Sequence, residues 1–219
     1  MDKCDNCEDI YPGKMIKVVN LRDPHCTKCG REVNMNKDYF AETQKRWDSY
    51  FYAICIAVAK KSPCLSREIG AILVRDRSIT STGYNGPPRG VPHCGQDRFL
   101  KDEQLKLLAE FSTFPDEKHL SRFEEECPRK VLGYKSGTHM ELCPAQHAEQ
   151  NAISNAARNG VSVIGTTLYM NCIIPCKNCF GTLINAGVKE VVVEDVKVYD
   201  KHTQFLINNS NIKIRSFRK

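Results

Sequence analysis

The sequence predicts an α/β fold, a sheet with helices on both faces, preceded by a small zinc ribbon. Three observations predict it. Five short apolar runs, at residues 69–74, 78–84, 165–171, 188–194 and 212–217, alternate with segments of helical periodicity. Such alternation buries best as a sheet covered by helices on each side. Two C-x2-C pairs stand ahead of all this, in a polar segment too short to bury a core.

That first segment carries Cys4, Cys7, Cys26 and Cys29, with an 18-residue gap between the pairs and Gly30 directly after the last cysteine. Two such knuckles bring four thiolates to one tetrahedral zinc, and the metal supplies the folding energy that the segment lacks. Four cysteine ligands close the site, so the zinc is structural. No helix-forming sequence follows either pair, which argues against a redox role. The domains are therefore a ribbon over residues 1–37 and a main domain over 38–219.

In the main domain, Trp47, Tyr50, Phe51, Ile54, Ala57 and Val58 fall at helical spacing and predict a helix over 39–61, ended by Pro63. Strands at 69–74 and 78–84 follow, joined by a short polar turn at 75–77, and then a Gly/Pro-rich loop at 85–90. Residues 95–138 are highly charged and read as an insertion, with helices over 101–111 and 117–126. Beyond it the pattern predicts a helix at 146–158, a strand at 165–171, a helix at 176–186, a strand at 188–194, a helix at 200–208 and a last strand at 212–217.

Composition narrows the class without deciding it. The chain has 219 residues, 41% hydrophobic and 26% charged, with 12 cysteines and a net charge of +6. No apolar run approaches the roughly 18 residues that span a membrane. The first residues show neither a charged-then-apolar leader nor a cleavage site, so a cytoplasmic protein is expected. Clustered cysteines in that setting point to metal rather than disulfides. The positive charge suits a nucleotide phosphate as well as a nucleic acid.

The residues that carry chemistry are His147, Glu149, Cys176 and Cys179. One histidine and two cysteines make three zinc ligands and leave the fourth position open to water. Both motifs begin helices, where the positive ends of the dipoles favour thiolate and hydroxide. Glu149, two residues after the histidine, is placed to move protons without binding the metal. The competing reading is a closed structural site with Cys172 as fourth ligand, which leaves Glu149 without a task.

The run His147–Ile153, H-A-E-Q-N-A-I, together with residues 175–179, P-C-K-N-C, resembles the cytidine deaminase superfamily. Residues 47–51, 67–76 and Gly83-Tyr84-Asn85-Gly86 look like its deoxycytidylate (dCMP) deaminases, particularly the bacterial and phage branch. The resemblance covers about residues 45–219, apart from parts of the insertion, and leaves out the ribbon. It implies a three-layer α/β/α cytidine deaminase-like fold with a mixed, about five-stranded sheet. It implies hydrolysis of dCMP to dUMP and ammonia at a catalytic zinc, supplying dUMP for dTMP synthesis. It also implies dCTP and dTTP as effectors and a homo-oligomer, either hexamer or dimer. From it Tyr84, Asn85, Gly86 and Ala148 are taken as substrate contacts, and Arg158 and Arg89 as nucleotide or subunit contacts.

Four potential ligands remain: Cys64, Cys94, His139 and Cys143. Zinc-bearing members of that branch have cysteines matching Cys64 and Cys94, with further ligands just upstream of the catalytic histidine. A second, structural zinc is expected there, with His93 and Glu141 as substitutes, making three Zn2+ per chain. Other readings stay open at this stage. They are a deaminase of dCTP or of 5-modified dCMP, a nucleic-acid deaminase acting on tRNA, and a non-catalytic zinc-scaffolded interaction protein. No basic stretch interleaved with aromatics favours the second of these, and Glu149 argues against the third. The ribbon's partner is unknown.

Overall fold

The structure is a computed structural model describing residues 37–111, 117–135 and 137–217, with backbone only for 37–40 and 117–119. The predicted ribbon, with Cys4, Cys7, Cys26 and Cys29, lies outside the described residues. The chain divides into two compact units, Met1–Ser49 and Tyr50–Lys219. In the first, the described residues belong to the start of helix α1 (Lys37–Ala59), where Gln44 donates to Asp48 at 2.9 Å, one turn on. The second unit contains the whole sheet.

Strands β1 (Gly70–Arg75) and β2 (Ser78–Tyr84) form a hairpin with Arg75 opposite Ser78. The two residues between them, Asp76 and Arg77, have φ of 50° and 61°. This is the left-handed pair that a two-residue turn needs to match strand twist, made here without glycine. Strands β3 (Thr167–Met170), β4 (Glu190–Val193) and β5 (Lys213–Ser216) complete a sheet of order β2-β1-β3-β4-β5. β1 is antiparallel to both its neighbours, and β3, β4 and β5 are mutually parallel. The expected mixed five-stranded sheet is therefore found. β2 and β3, each antiparallel to β1, run in the same direction.

Alternation along the strands feeds two layers. Ala71, Leu73, Leu168, Met170, Val191 and Val193 pack with Ala148, Ala152 and Ala156 of α6 (Ala148–Arg158) and with Phe180 and Leu183 of α7 (Lys177–Asn185). Leu206 and Ile207 of α8 (Lys201–Asn208) join the same cluster. On the other face the second half of α1 lies over the sheet. Phe51 meets Tyr169 at 5.2 Å between ring centroids, and the buried Cys55 thiol donates to the carbonyls of Gly70 and Tyr169. Helices thus cover both faces.

Close approach is written into two glycines. A Cβ on Gly83 of β2 would sit 2.2 Å from the backbone nitrogen of Ala152, and one on Gly70 would sit 2.3 Å from the carbonyl oxygen of Cys55. Glycine opposite an i, i+4, i+8 stripe of alanines lets α6 lie directly on β2.

The insertion differs from its predicted outline. The helix expected over 101–111 is α3 (Glu103–Glu110), and α2 (Gln96–Lys101), directly ahead of it, was not foreseen. Asp102 divides them by accepting from Leu105 N at 3.0 Å as an N-cap and pairing with Arg98 at 2.9 Å. Helix α4 (Glu117–Glu125) ends one residue early, and the short α5 (Pro128–Val131) was not foreseen. These helices enclose a core of their own: Leu105, Ala109, Phe123 and Val131, with Phe99 stacked on Phe123 at 5.8 Å.

Candidate active site

Because β2 and β3 are co-directional, the helices that follow them begin at one edge of the sheet. Gln146, expected as helix, instead exchanges two backbone hydrogen bonds with Gly86 (3.1 and 2.9 Å), which fixes the entry to α6. His147 is then the N-cap of α6, in extended conformation, and its backbone N–H is satisfied by the Gln150 side chain at 3.3 Å. Cys176, after Pro175, is the N-cap of α7, and Cys179 lies three residues into that helix. Both caps are extended residues with helix behind them, so their side chains project at the sheet edge.

His147 Nδ1 lies 3.6 Å from Cys176 Sγ and 3.3 Å from Cys179 Sγ, and the three ligand atoms lie within 4.8 Å of one another. Zinc fits this donor set. Zn–N and Zn–S bond lengths at the tetrahedral angle place such ligands about 3.6 Å apart. Cys176 is pulled down to about 4, first by the hydrogen bond from the Cys179 thiol and then by the His147 ring, while Cys179 is pushed up as donor to Cys176. His147 is raised by its hydrogen bond with Cys176. Cys176 is therefore the member of the set held most readily as thiolate. Cys172 stays outside this set, so the closed four-ligand alternative is not assembled.

Glu149, in the first turn of α6, is 4% exposed. Burial raises its carboxyl above the ordinary carboxylate range, which suits a group that must take a proton and give it back. When bound, zinc supplies a Lewis acid that lowers the pKa of water toward about 7. Glu149 lies beside the set, buried in the first turn of α6.

A cavity of about 150 Å³ opens over these residues, lined by Glu149, Ala148, His147, Asn85 and the Ile173-Ile174-Pro175 wall. Of the predicted substrate contacts, Asn85 and Ala148 line it, and Tyr84 and Gly86 do not. Gly86 is committed to its ladder with Gln146. Tyr84 is half exposed, with its carbonyl accepting from Asn151 at 2.7 Å. Both frame the site rather than touch the cavity. Asn85 is itself a clamp: its Oδ1 accepts from Ile69 N at 2.8 Å and its Nδ2 donates to the Arg67 carbonyl at 2.9 Å, leaving one amide hydrogen for a ligand. Arg89 donates to Asn155 on the outer side of α6, and Arg158 is exposed at that helix's end; neither lines the cavity.

The residues expected to hold a second zinc are not gathered in the same way. Among the described residues, His147, Cys176 and Cys179 are the one set with all ligand atoms within 4.8 Å. Cys64 and Cys143 face the cavity. Cys94 sits 3.6 Å from the Arg98 guanidinium, its thiol raised by burial and within the influence of Cys143 and Cys127. His139 points elsewhere: its ring stacks on Tyr134 at 3.7 Å and its Nδ1 meets Glu141 at 3.0 Å. Cys127, assigned no role from sequence, lines the cavity. So do Ser66, Arg67, Arg129, Lys130, Tyr134 and Tyr199. No local motif marks these; they reach the cavity only through tertiary structure.

A three-layer α/β/α fold that presents an open His/Cys/Cys set and a buried acid at the starts of two helices defines a metal site built to handle water. The chain belongs to the family described as the cytidine and deoxycytidylate deaminase zinc-binding region, whose model matches residues 45–195. It is 30% identical over 172 residues to a deoxycytidylate deaminase of Schizosaccharomyces pombe, covering 78% of this chain and 44% of that one. It therefore spans less than half the length of that yeast relative. It is 31% identical over 153 residues to the deoxycytidylate deaminase of Mycobacterium phage D29, covering 67% of this chain and 92% of that one. A dCMP deaminase of cyanophage S-TIM5 is similar in structure at a TM-score of 0.49, with 20% identity over 77% of this chain and 95% of that one. Among the described residues no helix is long and apolar enough to cross a membrane.

Proposed function

We propose that this protein removes the amino group of dCMP by hydrolysis, giving dUMP and ammonia. The observation that carries the reading is Glu149, a buried carboxyl with raised proton affinity beside an open three-ligand metal set. Glu149 takes one proton from the attacking water and delivers it to the ring nitrogen next to the reacting carbon, then takes the second proton from the newly added hydroxyl and passes it to the amine as the C–N bond breaks and the carbonyl forms, which returns Glu149 to its starting state. Ala148, whose backbone N–H is one of the unpaired donors of the first helical turn, lines the cavity beside it. The related proteins named deoxycytidylate deaminases support the choice of a deoxycytidine nucleotide.

The finer expectations accompany this reading. His147, Cys176 and Cys179 hold the catalytic zinc. Cys64, Cys94, His139 and Cys143 hold a second, structural zinc once the His139 ring leaves Glu141, and the N-terminal cysteines hold a third. The protein acts in the cytoplasm as a homo-oligomer under control by dCTP and dTTP, with Arg158 and Arg89 at nucleotide or subunit contacts. Metal analysis after chelator-free purification should return three zincs per chain; two or fewer removes the second or third site.

Ammonia release should be followed with dCMP, dCTP, cytidine and a short oligonucleotide in parallel. Turnover of dCMP is expected, and E149A should lose about 10²- to 10⁴-fold of it while zinc content stays the same. Turnover of the oligonucleotide but not of dCMP overturns the substrate, and an active E149A overturns the proton shuttle.

A further inference from the structure

Cys127 is a buried thiol that the reaction does not use. It is the N-cap of α5 and makes no side-chain capping bond. A buried cysteine alone is an ordinary small hydrophobe; what singles this one out is its company. Cys64 and Cys143 line the same cavity. The Cys94 thiol is pushed up first by burial and also by the charges of Cys143 and Cys127, so it lies within their reach. The backbone brings these segments together independently of the sulfurs. Gly95, directly after Cys94, has φ of 106°, and a Cβ there would sit 2.9 Å from the Glu124 carbonyl oxygen and 3.8 Å from Leu65 Cδ1. Leu65 directly follows Cys64, and Glu124 stands shortly before Cys127. The stretch that carries Cys94 is therefore wedged between those that carry Cys64 and Cys127.

We propose that the second zinc is held by four thiolates, Cys64, Cys94, Cys127 and Cys143, with Cys127 in the place that the sequence suggested for His139. This rests on the second zinc of the reading above and changes one of its ligands. Charge supports the exchange, since four thiolates around one zinc carry a net negative charge. The buried Arg98 guanidinium lies 3.6 Å from Cys94 Sγ, and Arg129 and Lys130, just after Cys127, line the cavity with Cys64 and Cys143. His139 would have to give up its stack on Tyr134 and its contact with Glu141; Cys127 has neither to lose. No three of these sulfurs lie within 4.8 Å of one another, so binding draws them in, to about 3.8 Å for thiolates about 2.3 Å from zinc. Cys94 and Cys127 flank helices α2 to α4, while Cys64 precedes β1 and Cys143 precedes α6. Joined at one point, they clamp the insertion onto the main core and add to the hold of its small core around Phe123.

The test is the metal content of the full-length protein after chelator-free purification, wild type against C127S and H139A. C127S should hold about one zinc per chain fewer than wild type, and H139A as many as wild type. In cobalt-substituted protein, sulfur-to-cobalt charge-transfer absorption should fall in C127S and stay at the wild-type level in H139A. If C127S does not fold, alkylation of native H139A decides. Cys64, Cys94, Cys127 and Cys143 should be protected together and released together by a chelator. H139A one zinc short of wild type overturns the assignment and returns the place to His139. C127S with the wild-type zinc content, or Cys127 alkylated while the zinc stays, overturns it as well. Turnover of dCMP is followed alongside. A wild type that deaminates nothing, with C127S still one zinc short of it, sinks the reaction and leaves this site standing.

Discussion

The two walls of the cavity are built on opposite plans. One wall is the end of the sheet with the starts of α6 and α7, where backbone laid on backbone places His147 and Glu149, and the N-terminal turn of α7 brings Cys176 and Cys179. The other is the insertion, which brings Cys127, Lys130 and Tyr134 to the same cavity from a satellite core of its own around Phe123. The difference is one of stability. The sheet wall belongs to the main core of the fold, while the insertion wall hangs on a small apolar core of its own and is the one expected to open first.

The largest blow to this contrast should come from G83V. With Ala152 N only 2.2 Å from the position of a new Cβ, α6 has to lift from β2, at a cost of about 4 kcal/mol or more. A denaturant midpoint shift and loss of turnover are expected together; a variant as stable as wild type breaks the rigid-wall reading. F123A comes next. Emptying the satellite core should cost about 3 kcal/mol locally, raising KM for dCMP more than it lowers kcat and leaving the sheet amides protected in hydrogen exchange. Exchange that accelerates equally in β1 and β3 shows that the two walls are one cooperative unit.

A third effect appears only at alkaline pH and leaves the neutral-pH protein untouched. Burial pushes the Cys55 thiol up from 9.0 to about 12 under α1. Its folded value lies above its unfolded one, so its contribution to stability is whole below pH 9 and is lost as pH rises from about 9 toward about 12. Wild type should lose stability over that window more steeply than C55A in chemical denaturation. Parallel curves remove Cys55 from the account.

What could be read ahead of the structure follows the same division. His147-x-Glu149 and Cys176-x2-Cys179 were legible because each is local: the spacing sets the chemistry and the helix start sets the direction. The sheet was legible through its apolar runs, Ile72 to Val74 and Val191 to Val193, since a strand buried on both faces leaves an unbroken signal. The insertion resisted. α2 ahead of Asp102 went unseen, because a six-residue helix in a charged run leaves too short a period to read, and the cap of Asp102 on Leu105 N looks like any exposed acid until its bond is seen. Asn85 was legible as a residue of the site, but its clamp on residues 67 and 69 was not, because both partners come from another segment. Tyr134 and Tyr199 reach the cavity by tertiary folding and carry no local mark at all. The stacking of the His139 ring on Tyr134 could not be read from the sequence either, since it depends on how the turn after α5 folds back.

Gly83 against Ala148 and Ala152 has a consequence for how much this site tolerates. Where two elements meet through long side chains, a change on one is absorbed by rotamers of the other. Here there is no such cushion: a strand backbone rests on a helix backbone, and the first turn of that helix is the one that holds Glu149. Any thickness added between them passes undamped to the carboxyl, whose distance from the three metal ligands sets its reach. The joint works as a machined shoulder does in an instrument, fixing a working part by having nothing between the surfaces that can give.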